Sequence, residues 1–228
     1  MRAIALIVAL ALGAVLSRDL AAQDVAARLE GRVAPEVRQA VVGVAANAAA
    51  QGLPVEPLVQ KAIEGGAKGV PPDRIIAAVR AVAARLGEAA RALRGADLPA
   101  LSGDVVEGGA DALNAGLSAA QVTNLARASR PPYDPALTLR VAATLAALGV
   151  PPKQVLDLVA GVMSAGRAPT ELLTLPDQVQ AGIAGGATPA QAAAGLARAA
   201  GGLPPGRPAS GVPPGQTNPH RPPNPHKP

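Results

Sequence analysis

Apolar side chains recur at intervals of three and four residues along most of this chain, in short segments separated by glycine and proline. Ile75, Ile76, Val79, Val82 and Leu86 form one such stripe, which is the spacing of a single face of an α-helix. The pattern predicts a succession of short helices. They are expected near residues 24–32, 35–50, 55–65, 72–94, 103–114, 119–129, 134–148, 151–164, 169–184 and 189–200.

A recurring phrase separates these segments. It consists of Gly, an apolar or small residue, and Pro or Ser, followed by a few variable positions and then aliphatic residues. Gly suits the left-handed backbone just past a helix end, and Pro or Ser suits the start of the next helix. The phrase therefore predicts a helix stop followed at once by a helix start. Its copies begin at Gly52, Gly69, Gly116, Gly149, Gly166 and Gly186.

Two stretches of the chain share the same version of this phrase. Lys68–Val79 and Leu148–Val159 both contain Gly-Val-Pro-Pro, two polar residues and paired aliphatic residues. This similarity suggests an internal duplication of helical hairpins, which would stack to share one core. The irregular spacing of the other copies favours the alternative, a chance similarity between Gly- and Pro-rich turns.

The predicted fold for residues 23–200 is all-α, with short helical hairpins packed as a compact or mildly solenoidal bundle. The core is expected to be aliphatic, because the chain has no Trp, no Phe and one Tyr. Helical spacing predicts a core that includes Ile63, Ile75, Ile76, Val79, Leu86, Leu93, Val122, Leu125, Leu139, Leu145, Val155, Leu158 and Val162.

The two ends of the chain differ from this body in composition. Residues 1–22 start with Arg2, continue as an uncharged apolar run and end in small residues, which is typical of a secretory signal peptide. The run is shorter than the about 20 residues of a transmembrane helix; a buried or membrane-anchoring first helix is the alternative. Residues 201–228 are rich in Pro and Gly and have no acidic residue, which predicts a disordered tail.

Composition and charge exclude several classes of function. The chain has no Cys, so disulfide frameworks, thiolate metal sites and cysteine nucleophiles are excluded, although export to the periplasm or the extracellular space is not. The formal net charge of +5 comes mostly from the two ends, and between them Lys and Arg are interspersed with Asp and Glu. A nucleic-acid binder needs a clustered basic face and usually aromatic rings, so nucleic acid is not an expected partner.

Histidine is missing from the body of the chain. The two that exist, His220 and His226, belong to the tail, where two imidazoles without a third ligand would make a poor metal site. A Ser-His-Asp triad and a His-Glu-x-x-His metal helix are therefore excluded. We expect no catalytic residue, cofactor or metal. The Pro-rich runs of the tail are interpreted as a spacer, with docking into an aromatic-lined groove as the alternative.

Three carboxylates, Asp104, Glu107 and Asp111, would share one face of a helix. Such groups can perform acid–base chemistry when their pKa values differ. Here we favour a solvated acidic face, balanced by Arg127 or Arg130. The glycine pairs are interpreted as helix ends or close-packing points rather than phosphate cradles; they are Gly65-Gly66, Gly108-Gly109 and Gly185-Gly186.

The single aromatic residue, Tyr133, lies between two Pro-containing dipeptides. Tyr is enriched in the hot spots of binding interfaces, so Tyr133 is the candidate residue for contact with a partner. The alternative, which we favour, is that its ring pins a loop onto the nearest helix.

These exclusions favour a non-catalytic role. We expect an exported helical scaffold or protein-interaction module of the cell envelope, whose partner is a protein or another envelope component. One alternative is an envelope hydrolase that uses Asp and Glu alone, as glycoside hydrolysis allows; two carboxylates facing across a cleft would favour it. The other is peripheral binding to an anionic lipid surface through the arginines of residues 74–94.

Overall fold

The computed structural model describes residues 23–200, and residues 1–22 and 201–228 lie outside the described residues. The interpretation of those two segments as signal and tail stays a prediction. Every regular element within residues 23–200 is a helix, which confirms the all-α class. The helices are α1 (residues 23–29), α2 (Pro35–Ala50), α3 (Glu56–Ala67), α4 (Pro72–Arg94), α5 (Gly103–Asn114), α6 (Ala119–Ala128), α7 (Pro135–Ala147), α8 (Pro152–Ser164), α9 (Pro169–Ala184) and α10 (Pro189–Ala200).

The predicted helix boundaries agree closely with the observed ones. From α2 to α10, every helix begins and ends within two residues of its predicted bounds. The first helix ends earlier, at residue 29 rather than 32, and Gly31 then takes a left-handed φ of 69°. That reversal is a helix stop in which Pro35 follows four positions later rather than two or three, so the recurring phrase did not reveal it.

The glycine of each phrase ends a helix in the predicted way. All six adopt positive φ, between 64° and 98°. At Gly149, the glycine N–H donates to Ala146 O at 2.9 Å and the next N–H, of Val150, donates to Leu145 O at 3.2 Å. The same pair of hydrogen bonds occurs at the other five glycines, so all six turns are Schellman motifs that satisfy the last carbonyls of the helix.

The helix starts follow two designs. Pro is the first residue of α2, α4, α7, α8, α9 and α10, where its missing N–H costs no hydrogen bond. At α6 and α10 a hydroxyl and an amide cap each other's backbone. Ser118 Oγ accepts from Gln121 N at 3.3 Å, and Gln121 Oε1 accepts from Ser118 N at 2.8 Å. Thr188 and Gln191 repeat this capping box at the start of α10.

Packing from α2 to α10 joins helices that are close in sequence. Consecutive helices contact each other throughout, and the even-numbered helices also contact one another in series from α2 to α10. Among the odd-numbered helices, α7 contacts both α5 and α9. No substantial contact in this part of the chain joins helices more than two positions apart. We call α2, α4, α6, α8 and α10 the even row, and α3, α5, α7 and α9 the odd row.

One aliphatic core runs through both rows. Eleven of the residues expected in it are buried, while Ile63 and Ile76 are partly buried at its edge. Tyr133 is the one aromatic residue in the core of the described range. The core is therefore made from Leu, Ile, Val and Ala, as the composition predicts.

Helix α5 approaches two neighbours closely through a glycine pair. A Cβ atom on Gly108 would lie 2.9 Å from Ala136 O of α7, and one on Gly109 would lie 2.9 Å from Leu93 Cδ1 of α4. Both positions are therefore close-packing points, as predicted. The pair fixes α5 against α4 and α7 and leaves another side of α5 toward α3.

The other two glycine pairs also have the roles expected of them. A Cβ on Gly65 would lie 2.8 Å from Ile75 Cγ1, so α3 approaches α4 closely there, and Gly66 packs against the connection between α1 and α2. Gly185 and Gly186 end α9.

Candidate functional site

The packing scheme has one gap in the helices α2–α10, and it lies between α3 and α5. Every other pair of next-neighbour helices in this range makes substantial contact, whereas α3 and α5 are separated by a cleft of about 410 Å³. Helix α4 forms its floor. The residues that line it are Pro57, Gln60, Lys61 and Glu64 of α3, Val82, Arg85 and Leu86 of α4, and Glu107, Ala110, Asp111 and Asn114 of α5.

The cleft continues into a second, more open depression between α5 and α7, of about 580 Å³. Asp111 and Asn114 line both spaces, and Arg140, Ala143 and Thr144 form the far side of the second. The two together make a concavity across three helices of the odd row, with a mixed polar and apolar lining. We call the first space the α3–α5 cleft, or simply the cleft, and the second its α7 extension.

Hydrogen bonds hold the polar floor of the cleft in place. Arg85 Nε donates to Asn114 Oδ1 at 3.0 Å, which ties α4 to α5. The same guanidinium donates to Glu88 Oε2 at 2.7 Å. Arg85 is thus positioned by groups on two helices, and its charge is partly neutralised within α4.

The α3 wall carries carboxylates that are well neutralised. Glu64 contacts both Lys61, at 3.1 Å, and Lys68, and these hydrogen bonds lower the pKa of Glu64. Glu56, which precedes the cleft residue Pro57, makes two contacts of 2.7 Å with Arg28 of α1. The hydrogen bonds from Arg28 and Gln60 lower the pKa of Glu56 to about 2. Both carboxylates are therefore ionised at neutral pH.

The carboxylates of the α5 wall are less well neutralised than those of α3. Arg140 of α7 lies 3.2 Å from Asp104 and 3.6 Å from Glu107, so one cation serves two carboxylates. Burial raises the pKa of Glu107, and the negative charges of Asp104, Asp111 and Glu56 add to this, while Arg140 opposes it.

Asp111 is the least compensated carboxylate of the cleft. It makes no ion pair within residues 23–200, although its side chain still reaches solvent. Partial desolvation raises the pKa of Asp111, and Arg140 opposes this effect from a distance. The cleft therefore has a neutralised acidic wall on α3 and an under-compensated acidic wall on α5.

The acidic face predicted from the sequence lies on this wall, but the prediction of the cation that balances it was wrong. Arg140 rather than Arg127 or Arg130 faces Asp104 and Glu107. Arg127 instead lies 4.0 Å from Asp97 and donates to Gly95 O at 2.6 Å, at the end of α4. The distance along the chain between α5 and α7 hid this pairing from sequence reasoning.

Sequence reasoning missed the other half of the cleft. Gln60, Lys61 and Glu64 are ordinary polar positions on α3, and Arg85 was grouped with the other arginines of α4. Periodicity assigns such residues to an exposed face. It carries no signal that α5 lies opposite that face without touching it.

Tyr133 lies outside the cleft. Its side chain is 9% exposed, and its hydroxyl donates to Arg167 O at 2.6 Å, with Met163 O also within 3.3 Å. This contact ties the connection before α7 to the C-terminal end of α8, which is the loop-pin arrangement. Contact of a partner with Tyr133 stays a prediction.

Residues 23–200 contain neither a candidate metal site nor a candidate membrane span. That range holds no group of three or more His, Cys, Asp or Glu residues arranged to hold a metal ion. None of its helices combines the length and hydropathy needed to span a bilayer. The tail histidines lie outside the described residues.

Comparison with known proteins adds no family. The chain matches no protein-family model, and a search of curated proteins finds no similar sequence. The function is therefore argued from the residues and their geometry.

Proposed function

We propose that this chain is an exported, non-catalytic helical module of the cell envelope, and that it binds a protein or another envelope component in the α3–α5 cleft. The observation that carries the proposal is the single interruption of next-neighbour packing between α2 and α10, at a concavity lined by charged side chains. Residues 1–22, with the composition of a secretory signal, support export to the periplasm or the extracellular space.

The architecture proposed for the module is a short solenoid of helical hairpins. Contacts confined to helices near in sequence support it, because stacked repeats touch only their neighbours. The turns support an internal duplication as well. Gly-Val-Pro-Pro joins α3 to α4 and again α7 to α8, and a Schellman turn with a capping box joins α5 to α6 and again α9 to α10. Helices α3–α6 and α7–α10 would then be the two copies.

A protein partner fits the chemistry of the cleft better than a small apolar ligand. The cleft opens to solvent, and its walls and floor include Gln60, Glu64, Arg85, Asp111 and Asn114, whose side chains can exchange hydrogen bonds with a polar surface. Small-molecule sites are mostly apolar and enclose most of the ligand. Interfaces, by contrast, commonly have a polar rim and bound water.

Affinity capture with matched variants tests this proposal. Asp111→Lys reverses a charge inside the cleft, and Asp177→Lys does the same on α9; both side chains are exposed and without an ion pair within the described range. We expect an envelope component that is retained by the wild-type protein and by Asp177→Lys and lost from Asp111→Lys. Retention of the same set of proteins by all three forms would contradict the proposal.

The cleft also favours a second candidate, a hydrolase that uses carboxylates alone. Glu64, with a lowered pKa, and Glu107, with a raised pKa, line one cleft from opposite walls. A carboxylate base and a carboxylic acid in such a pair are what glycoside hydrolysis requires. No aromatic ring lines the cleft to stack on a sugar, which is why this candidate is second.

Activity measurements separate the two candidates. The binding module predicts no turnover of purified cell-wall glycan by the wild-type protein. Turnover that is lost in both Glu64→Gln and Glu107→Gln, but kept in Glu171→Gln on α9, would establish the hydrolase instead.

A further inference from the structure

The two rows of helices carry opposite charges. Within the helices of the odd row, acidic residues outnumber basic ones by seven to two; within the even row, basic residues outnumber acidic ones by nine to four. The near neutrality of the body therefore conceals a separation in space. The basic residues of the even row are Arg38, Arg74, Arg80, Arg85, Arg91, Arg94, Arg127, Lys153 and Arg198.

Helix α4 carries the densest part of this charge. Arg80, Arg91 and Arg94 are exposed and lie within an arc of about 60° around the helix, over a length of about 21 Å. Between them on the same side are Ala84 and Gly87, which are too small to cover the guanidinium groups. These three arginines are here called the α4 arginine strip; the guanidinium of Arg91 lies over Gly87, and all three side chains stay exposed.

The α4 arginine strip has no anionic partner among the described residues. None of its three arginines makes an ion pair within residues 23–200, whereas Arg85, on the cleft side of α4, is paired with Glu88. The three arginines are not buried in the core either, because the buried side of α4 is formed by other residues, among them Ile75, Val79 and Leu86.

A depression of about 320 Å³ between α2 and α4 adjoins the strip. Arg91 lines it, together with the amide of Asn47 in α2 and that of Gln51 just beyond α2, which also donates to Asn47 O at 3.2 Å. A guanidinium beside amide donors suits a phosphate oxygen, because the planar fork of Arg can donate two hydrogen bonds to it.

We propose that the even row docks on an anionic phospholipid surface through the α4 arginine strip. The strip lies on a different side of α4 from the residues that form the cleft floor, so this inference does not depend on the proposed function. Cations spread over about 21 Å match a plane of many phosphates rather than one ligand. Because the apolar side of α4 is committed to the core, the helix cannot insert, and the attachment is electrostatic. The segment after α10 adds Arg207, Arg221 and Lys227 and no acidic residue.

Vesicle sedimentation with the full chain tests the proposal. Vesicles of phosphatidylcholine with and without phosphatidylglycerol serve as probes, at low salt. We expect binding to the anionic vesicles only. Each arginine near a charged bilayer contributes about fivefold in affinity, so Arg80→Glu/Arg91→Glu should lose at least about 25-fold. Arg80→Gln/Arg91→Gln should show an intermediate loss, which guards against a folding defect in the reversed variant.

A matched control makes the same change in net charge away from the α4 arginine strip. Lys61→Glu/Lys68→Glu alters the net charge by the same amount in α3 and just after it, and we expect it to bind within about twofold of the wild-type protein. Equal losses in the two double variants, undiminished binding of Arg80→Glu/Arg91→Glu, or equal affinity for soluble poly-glutamate would each overturn the proposal.

Discussion

Helices α3 and α5 are separated by a cleft, whereas α7 and α9, which come four helices later in the chain, pack directly against each other. The first turn of each region is the same, because Gly-Val-Pro-Pro joins α3 to α4 and α7 to α8. The second turn differs: residues 95–102, with a left-handed Asp97, join α4 to α5, whereas a left-handed Gly166 joins α8 to α9. The residues on the open and the closed pair of helices differ as well.

In the closed region both helices contribute large aliphatic side chains to the core: α7 buries Leu139 and Leu145, and α9 buries Leu172, Leu175 and Val179. In the open region the walls and floor carry charges of both signs, namely Glu64, Glu107 and Asp111 with Lys61 and Arg85. Closing that cleft would desolvate these charges, which costs free energy unless each of them finds a partner.

The largest expected effect is a difference between the two regions in how far one substitution lowers the free energy of unfolding. Leu172→Ala removes a fully buried side chain from α9 and should lower the free energy of unfolding by about 2–5 kcal/mol. Gln60→Ala on the cleft wall should change it by less than about 0.5 kcal/mol, because the residue is exposed. Chemical denaturation measures both. A comparable loss in Gln60→Ala would mean that α3 and α5 are closed in solution.

The next prediction tests whether the Gly-Val-Pro-Pro turns of the two regions are equivalent. Gly69→Ala and Gly149→Ala place a Cβ atom on a left-handed backbone with φ of 64° and 88°, and no close contact opposes it at either site. Each should therefore lose about 1–2 kcal/mol of stability from backbone strain alone. Thermal and chemical unfolding of the two variants should agree; a loss at one position only would end the equivalence of the turns.

A smaller effect is expected where the second region is pinned. Tyr133→Phe removes the hydrogen bond to Arg167 O and keeps the ring in the core, so it should cost about 0.5–1.5 kcal/mol. The melting temperature of this variant can be compared with that of Thr174→Val on the exposed side of α9. An unchanged stability of Tyr133→Phe would show that the hydroxyl does not pin the loop.

The smallest effect concerns pH and differs in sign between the two acidic walls. The pKa of Glu107 is raised by burial, so its contribution to stability is greatest below its ordinary pKa of 4.5 and is lost as the pH rises through the folded-state value. The pKa of Glu56 is lowered to about 2, so its contribution is complete above 4.5 and is lost as the pH falls through about 2.

Two substitutions measure these opposite slopes. Glu107→Gln should stabilise the protein slightly at neutral pH, and Glu56→Gln should destabilise it by about 0.2–1 kcal/mol, because its ion pair with Arg28 is solvent-exposed. Unfolding followed between acid and neutral pH records both. The same sign of change at neutral pH in the two variants would contradict the assigned electrostatics.

Local signals made most of the fold predictable. The six phrase glycines and the first-turn prolines fix where helices end and begin through backbone conformation, which depends on few neighbours. The core positions followed from the 3.6-residue period for the same reason.

The site was less predictable because it depends on which helices meet. Arg140 reaches Asp104 from 36 positions away, and Gln60 lines a cleft whose other wall is α5. The separation of charge between the rows was hidden too, since acidic and basic residues alternate along the chain and sort only when helices stack. Spacing within one helix contains none of this information.

Site-specific photo-crosslinking in the cells that make the protein tests the central claim most directly. A photoreactive residue replaces Gln60 in the cleft or Gln178 on α9, two exposed glutamines of the odd row. We predict a discrete crosslinked product at position 60 that disappears when Asp111→Lys is added, and none at position 178. No product at position 60, or the same product from both positions, would contradict a partner site between α3 and α5.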